Sequence, residues 1–249
     1  MITVSNILDF LKDKYPLETA CDFDNVGLLV GDGQATVTKV VVCLDCDIDT
    51  VEFAKNCDAQ LIVTHHPVIF NGLKEVTVGS VVYELVKSNI SVISMHTNLD
   101  IAQGGVTETL CDAIGLKNVV PFVSHSGFLI REAECDVIDA DKLAECIKNN
   151  LGGAVRYVDS GREIRRVLVC SGSGGEFLKD VADGGYDALI SADIKHNVFI
   201  DAINLGVSVF DAGHFSSENI IVTPLANQLK SEYNDLELLE FNNKKIRFV

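Results

Sequence analysis

Short apolar runs that end in chemically capable side chains recur along this chain. Residues 61–64, Leu-Ile-Val-Thr, form a β-branched and aliphatic run that leads into His65 and His66 and is halted by Pro67. That is the signature of a buried strand with its polar residues at the carboxyl end, where open α/β sheets build their sites. Neighbouring strand residues point to opposite faces, so the two histidines converge only if the strand ends and the backbone turns. Residues 91–94 form a second such run, leading to His96 and Asp100, and residues 207–211 a third, leading to His214 and Glu218.

Around these runs the pattern alternates. Strands are predicted over 39–44, 59–64 and 90–94, with helices over 49–56 and 80–88 between them and a helix over 106–114 after them. Strands separated by helices of this length give βαβ units and a largely parallel sheet. The second half repeats the plan with strands over 166–170, 188–191 and 207–211, helices over 177–182 and 197–204, and a longer helix over 218–232 broken near Pro224. Val40-Val-Val-Cys43 matches Val167-Leu-Val-Cys170, and 61–66 matches 188–193, which reads as an internal duplication. The fold class is therefore α/β, built of duplicated βαβ-type repeats with mostly parallel mixed sheets, one repeat over 1–122 and the other over 123–249. A joint is expected near 120–160, marked by Pro121, the polar residues 136–141 and Gly152-Gly153. The N-terminus reads as an amphipathic helix capped by Thr3 or Ser5 and stopped by Pro16; Asp24 and Asn25 then lie in a turn leading into a strand.

Composition narrows the classes. The chain has 249 residues, 47% of them apolar, enough for sizeable cores. No apolar run approaches the length of a membrane span, and no basic leader precedes an apolar stretch, so a cytoplasmic location is the default expectation. The 36 acidic against 20 basic residues give a net charge of −16, which repels phosphate backbones and argues against a nucleic-acid partner. The eight cysteines are scattered. The lone pair Cys43 and Cys46 begins within a strand rather than opening a helix, so buried free thiols are expected in place of a redox motif.

His65, His66, His96, Asp100, His214 and Glu218 offer imidazole nitrogen and carboxylate oxygen without thiolate, a set suited to Zn, Fe, Mn, Co or Ni. Six donors exceed what one ion needs, which favours two divalent ions bridged by a carboxylate or a water, and hydrolysis by activated water as the reaction class. The His214-x-x-x-Glu218 and His96-x-x-x-Asp100 intervals place each pair on one face of a helical turn. The loop Ser171-Gly-Ser-Gly-Gly175 offers backbone amides to an anion, or is simply a flexible turn. Asp193, Lys195 and His196 line the same pocket or cap the following helix.

Four ordered segments, Asp24-Asn-Val-Gly-Leu28, Thr64-His-His-Pro67, His96-Thr-Asn-Leu-Asp100 and Gly213-His-Phe-Ser-Ser-Glu218, resemble the signatures of the NGG-interacting-factor-three-like family, also called GTP cyclohydrolase I type 2 homologs. The resemblance spans nearly the whole chain. It implies two intertwined α/β halves, a dinuclear centre with His65, His66, Asp100, His214 and Glu218 as ligands, and toroidal homohexamers. It places His96 beside the metals as second shell or substrate contact; with His196, it is the expected acid–base group. The activity implied is metal-dependent hydrolysis of GTP or a related nucleotide, the alternative being a non-catalytic metal-binding scaffold. Two departures stand out: Asn197 occupies the position of a histidine in a second-half motif of many relatives, and residues 123–160 are too few for the extra domain of longer relatives.

Overall fold

The structure is a computed structural model that describes residues 1–247. The chain forms two compact units, Met1–Ala102 with Ile221–Lys245, and Gln103–Ile220 with residues 246–247. This differs from the single cut expected after residue 122. The last helix and strand return to the first unit, and such a long-range return leaves no mark in local periodicity.

In the first unit, helix α1 (Val4–Lys14) is closed by a capping box in which the Thr3 side chain accepts from Asn6 N–H and the Asn6 side chain accepts from Thr3 N–H. Strands β1 (Gly27–Val30), β2 (Lys39–Cys43), β3 (Leu61–Thr64) and β4 (Ser91–Ser94) alternate with helices α2 (Ile48–Asn56) and α3 (Val81–Lys87), and the short helix α4 (Thr97–Ile101) follows β4. Asp47 caps α2 by accepting from Thr50 N–H, a contact worth about 1 kcal/mol. The sheet order is β1-β4-β3-β2, with the last strand of the chain next to β2. Strands β2, β3 and β4 are parallel in register, so Cys43, Thr64 and Ser94 stand level, while β1 runs antiparallel to β4. Val41, Cys43, Ile62 and Val92 meet Val51, Ala54 and Leu85 of α2 and α3 on one face. The intervening Val40, Val42, Leu61, Val63 and Ile93 are buried as well, which is why these strands read as unbroken apolar runs.

The second unit begins with α5 (Val106–Ala113) and continues through β5 (Lys117–Val123), β6 (Leu129–Ile138), α6 (Ala140–Leu151), β7 (Arg156–Val158), β8 (Ile164–Ser173), α7 (Leu178–Asp183), β9 (Ala188–Ala192), α8 (His196–Leu205), β10 (Ser208–Asp211) and α9 (His214–Glu218). Its sheet order is β5-β6-β8-β9-β10-β7. Strands β8, β9 and β10 are parallel, and β7 lies antiparallel on the outer edge of β10 as β1 does on β4. The duplication expected from the sequence is therefore visible in topology, with β2, β3 and β4 answering to β8, β9 and β10. The two faces of β8 separate with period two: Val167 and Val169 pack with α5 and α6, Leu168 and Cys170 with α7 and α8.

After α9 a single 3₁₀ turn, Asn219–Ile221, leads to α10 (Val222–Glu232) and β11 (Glu237–Phe241), which adds parallel to β2 in the first unit. The helix expected over 218–232 is thus three pieces, and its break is this turn; Pro224 sits in the first turn of α10, where its missing N–H costs nothing. Residues 120–160, expected as a joint, carry a hairpin, a helix and an edge strand. Their charged, alternately exposed residues hide strands that are buried on one side only. The segment expected as a loop at 171–175 is largely strand, since β8 runs to Ser173.

Candidate metal centre

In the first unit the ladder between β2 and β3 outlasts the strands. His65 N–H donates to Cys43 O at 3.2 Å and His66 N–H to Leu44 O at 3.0 Å, after which Pro67 ends the pairing. The turn lets both imidazoles face His96, with ring centroids 5.0 to 5.6 Å apart among the three. Each ring is held through Nδ1. His65 Nδ1 lies 2.8 Å from Met95 O, His66 Nδ1 2.7 Å from Asp45 Oδ1, and His96 Nδ1 2.8 Å from Asp24 Oδ1. A carbonyl or carboxylate only accepts, so each Nδ1 carries the hydrogen and each Nε2 presents its lone pair. This is the orientation in which a histidine binds a metal, with the acceptor behind it fixing the tautomer. One ligand atom from each of the three rings falls within 4.8 Å of the others.

Asp100 completes this half. Its backbone N–H donates to His96 O at 2.9 Å, so the carboxylate stands one helical turn beyond the β4 exit, with Oδ1 3.5 Å from His65 Nε2. His65 is fully buried. A lone pair and a carboxylate facing one another inside a protein repel unless a cation sits with them. Asp24 braces the arrangement: besides His96, it accepts from Asn25 N–H, Thr97 N–H and the Thr97 hydroxyl, at 2.6 to 3.0 Å. Burial pushes its carboxyl up, but the bonds from His96 and Thr97 together outweigh it and hold Asp24 well below the usual carboxylate range.

The second unit builds its donors on α9. Asp211, at the end of β10, accepts from Gly213 N–H, Ile194 N–H and Arg156 Nη2, pinning the turn that carries the chain from strand to helix. His214 and Glu218 then lie one turn apart, with Nε2 2.9 Å from Oε2. The other ring nitrogen of His214 lies 2.8 Å from Asp193 Oδ2, and Asp193 adopts a left-handed backbone (φ 51°) at the exit of β9. An imidazole with carboxylate oxygen at both nitrogens, one of them on a nearly buried glutamate, again calls for positive charge. Two donors bound cis at about 2.1 Å from one ion stand roughly 3 Å apart, and the His214–Glu218 spacing meets that requirement. Behind Glu218 the backbone comes close: a Cβ on Gly172 would fall 2.2 Å from Glu218 Oε1.

Of the residues singled out from the sequence, His65, His66, His96 and Asp100 come together in the first unit, and His214 and Glu218 in the second. His196 stands exposed at the first position of α8 and has no hydrogen bond to His214 or Glu218 among the described residues. Within 171–175, Gly172 and Gly174 allow close packing against Glu218 and Ser191, while Gly175 faces Ile194 and Val198 at ordinary contact distance. Cys43 and Cys46 are free thiols; burial drives Cys43 well above its ordinary value and pushes Cys46 up to about 12, so neither is a thiolate. Sequence reasoning passed over Asp45 and gave Asp193 no specific role. Both lie 21 residues before the histidine they orient, a shared interval that a search for repeats could have found.

The model of the Duf34/NIF3 (NGG1p interacting factor 3) family matches residues 2–246. A Clostridium perfringens protein named GTP cyclohydrolase 1 type 2 homolog is 30% identical over 98% of both chains. The GTP cyclohydrolase 1 type 2 of Helicobacter pylori is 32% identical over 96% of both. Among solved structures, a hypothetical protein of Staphylococcus aureus superposes with a TM-score of 0.92 at 26% identity, covering 99% of both chains. Reduced HcgD from Methanocaldococcus jannaschii does so with a TM-score of 0.83 at 28% identity, covering 96% of this chain and 97% of its own.

Proposed function

The chain belongs to the Duf34/NIF3 family, and from that premise we propose that it is a metal-dependent hydrolase acting on GTP or a related nucleotide. His65, His66 and Asp100, together with His214 and Glu218, would be the ligands of two divalent ions of the Zn, Fe, Mn, Co or Ni class. The observation that carries the reading is the uniform preparation of the donors. Every histidine in the set donates from Nδ1 to a fixed acceptor, and His65 and His214 each have a carboxylate facing Nε2. Such ions supply Lewis acidity, lowering the pKa of water and polarising a substrate oxygen or nitrogen.

The protein groups divide the remaining work. His96, oriented by Asp24, is the proton carrier nearest the donors, and the hydrogen on its Nδ1 leaves Nε2 to accept a proton or to hydrogen-bond substrate. His196 is assigned as a second proton-transfer group that the bound substrate meets at the start of α8. Toroidal homohexamers are the assembly this reading expects.

The test is elemental analysis of protein purified without chelator, followed by incubation of the loaded protein with GTP and chromatography of the products. About two metal equivalents per chain and ring-opened or otherwise hydrolysed nucleotide support the reading. Stoichiometric metal without turnover of any nucleotide turns it towards a metal-binding scaffold. Absence of metal after reconstitution removes both.

A further inference from the structure

Two exposed phenylalanines, Phe23 and Phe70, lie on the loops that adjoin Asp24 and His66. Phe23 is 67% exposed and Phe70 43% exposed, whereas Tyr15 of the same unit is buried and Phe10, Phe53, Tyr83 and Tyr233 are half-buried. Phe23 and Phe70 have centroids 6.3 Å apart at a tilt of 49°, and Phe70 meets the His96 ring edge-on at 6.1 Å and 79°. The three rings therefore form a run of tilted and edge-on aromatic contacts that ends at a candidate proton-transfer group.

This surface is held in place rather than left to wander. Val68 and Ile69 pack on the core, so Phe70, the next residue, is anchored at its base. Asn25 Nδ2 donates to Ile69 O at 2.6 Å, tying the two ring-bearing loops together, and Asp24, next to Phe23, clamps His96 and Thr97. The residues adjoining each phenylalanine are thus used for locking, while the rings themselves project. Exposing two large apolar rings on a braced frame forgoes their burial, which a ligand that covers them would recover. The segment from 66 to 79 contains no helix or strand, and loops of that length in compact units are commonly functional.

The geometry points to Phe70 and Phe23 as a stacking platform for the heteroaromatic ring of a nucleotide, with His96 Nε2 meeting the edge of the same ring. Aromatic faces favour flat π-systems, and the adjoining imidazole adds a polar contact that an aliphatic partner could not use. The inference deepens the nucleotide reading above and rests on it.

The test uses the full chain, both metal-loaded and chelator-treated, with GTP and inorganic tripolyphosphate as probes, so that one ligand carries the ring and the other only phosphates. The parent should bind GTP more tightly than tripolyphosphate. Phe70→Ala and Phe23→Ala should each weaken GTP by about five- to a hundredfold while leaving tripolyphosphate unchanged. The chain has no tryptophan, so Phe70→Trp introduces a single tryptophan, and its fluorescence, excited at the red edge where the five tyrosines do not absorb, should be quenched by GTP and not by tripolyphosphate. Equal affinities for the two probes in the parent, or full GTP affinity in both alanine variants, overturn the platform. So does a change of sedimentation coefficient in Phe70→Ala with GTP affinity intact, which would give the surface to a second copy of the chain. Metal content is read separately: ring preference in a chain that takes up no metal ends the hydrolase reading but keeps the platform, and metal uptake without ring preference does the reverse.

Discussion

The turn after β4 and the turn after β10 occupy the same place in the two repeats, and each carries a histidine one helical turn before a carboxylate. They are nevertheless built for different duties. After β4, His96 caps α4 and is turned by Asp24, a residue on a preceding loop, while Asp100 faces His65 from the neighbouring strand. After β10, His214 and Glu218 face one another directly, and the brace is Asp193 from the neighbouring strand exit. In the first unit β3 supplies imidazoles; in the second, β9 supplies a carboxylate that only orients. Duplication thus provides two equivalent scaffolds, and the choice of residue at each strand end decides which becomes donor-rich and which needs only a pair.

The comparison breaks most sharply if the direct donors are removed. His65→Ala or Asp100→Ala in the first unit, and Glu218→Ala in the second, should each lower bound metal from about two equivalents to one or none, with turnover falling to background. Elemental analysis and a nucleotide assay read both effects. Equal metal content in all three variants and the parent would mean that these residues are not ligands.

A smaller effect separates histidines that bind from those that move protons. His96→Gln should retain metal yet lose about 10²- to 10⁴-fold in kcat, the usual contribution of general acid–base catalysis. His196→Ala, at an exposed helix start, should lose less, because water competes for a group held in the open. Metal loss in His96→Gln would make the two turns equivalent after all, with His96 a ligand as His214 is proposed to be.

The braces come next. Asp45→Asn and Asp193→Asn remove the charge but keep the shape of the group behind His66 and His214, and each should weaken metal affinity by about 10- to 100-fold. If only Asp193→Asn does so, the second unit, with fewer donors, depends more on each orientation. Competition with a chelator of known affinity gives the number directly.

Much of this was legible in the chain. The buried parallel strands announce themselves because both of their faces are covered, so Leu61-Ile-Val-Thr64 and Val207-Ser-Val-Phe-Asp211 stand out as runs bounded by polar residues. The candidate donors were legible because they sit where those runs stop. Strands β5, β6 and β7 were not, since Lys117, Glu132, Glu134 and Arg156 alternate with apolar residues and imitate a loop. Nor was β11, whose place beside β2 depends on a partner nearly 200 positions away in the chain. Asp45 escaped notice because a carboxylate at a strand exit looks the same whether it caps α2 or turns a histidine. Only the distance to His66 Nδ1 tells them apart.

The smallest predicted effect tests why Gly172 is glycine. Its φ of 60° is unfavourable for any residue with a Cβ, and the same is true of Gly206 at 66°. Their surroundings differ: a Cβ on Gly206 would meet nothing within 4 Å, whereas on Gly172 it would fall on the Glu218 carboxylate, with His214 Cε1 at 3.6 Å. Gly206→Ala should therefore cost about 1 to 2 kcal/mol in denaturant unfolding from backbone strain alone and leave metal affinity unchanged. Gly172→Ala should cost at least as much and also weaken metal binding, because Glu218 must swing from the position in which it meets His214 Nε2. If both alanine variants lose stability equally and bind metal alike, the close approach to Glu218 is incidental, and the glycine answers only to its left-handed backbone.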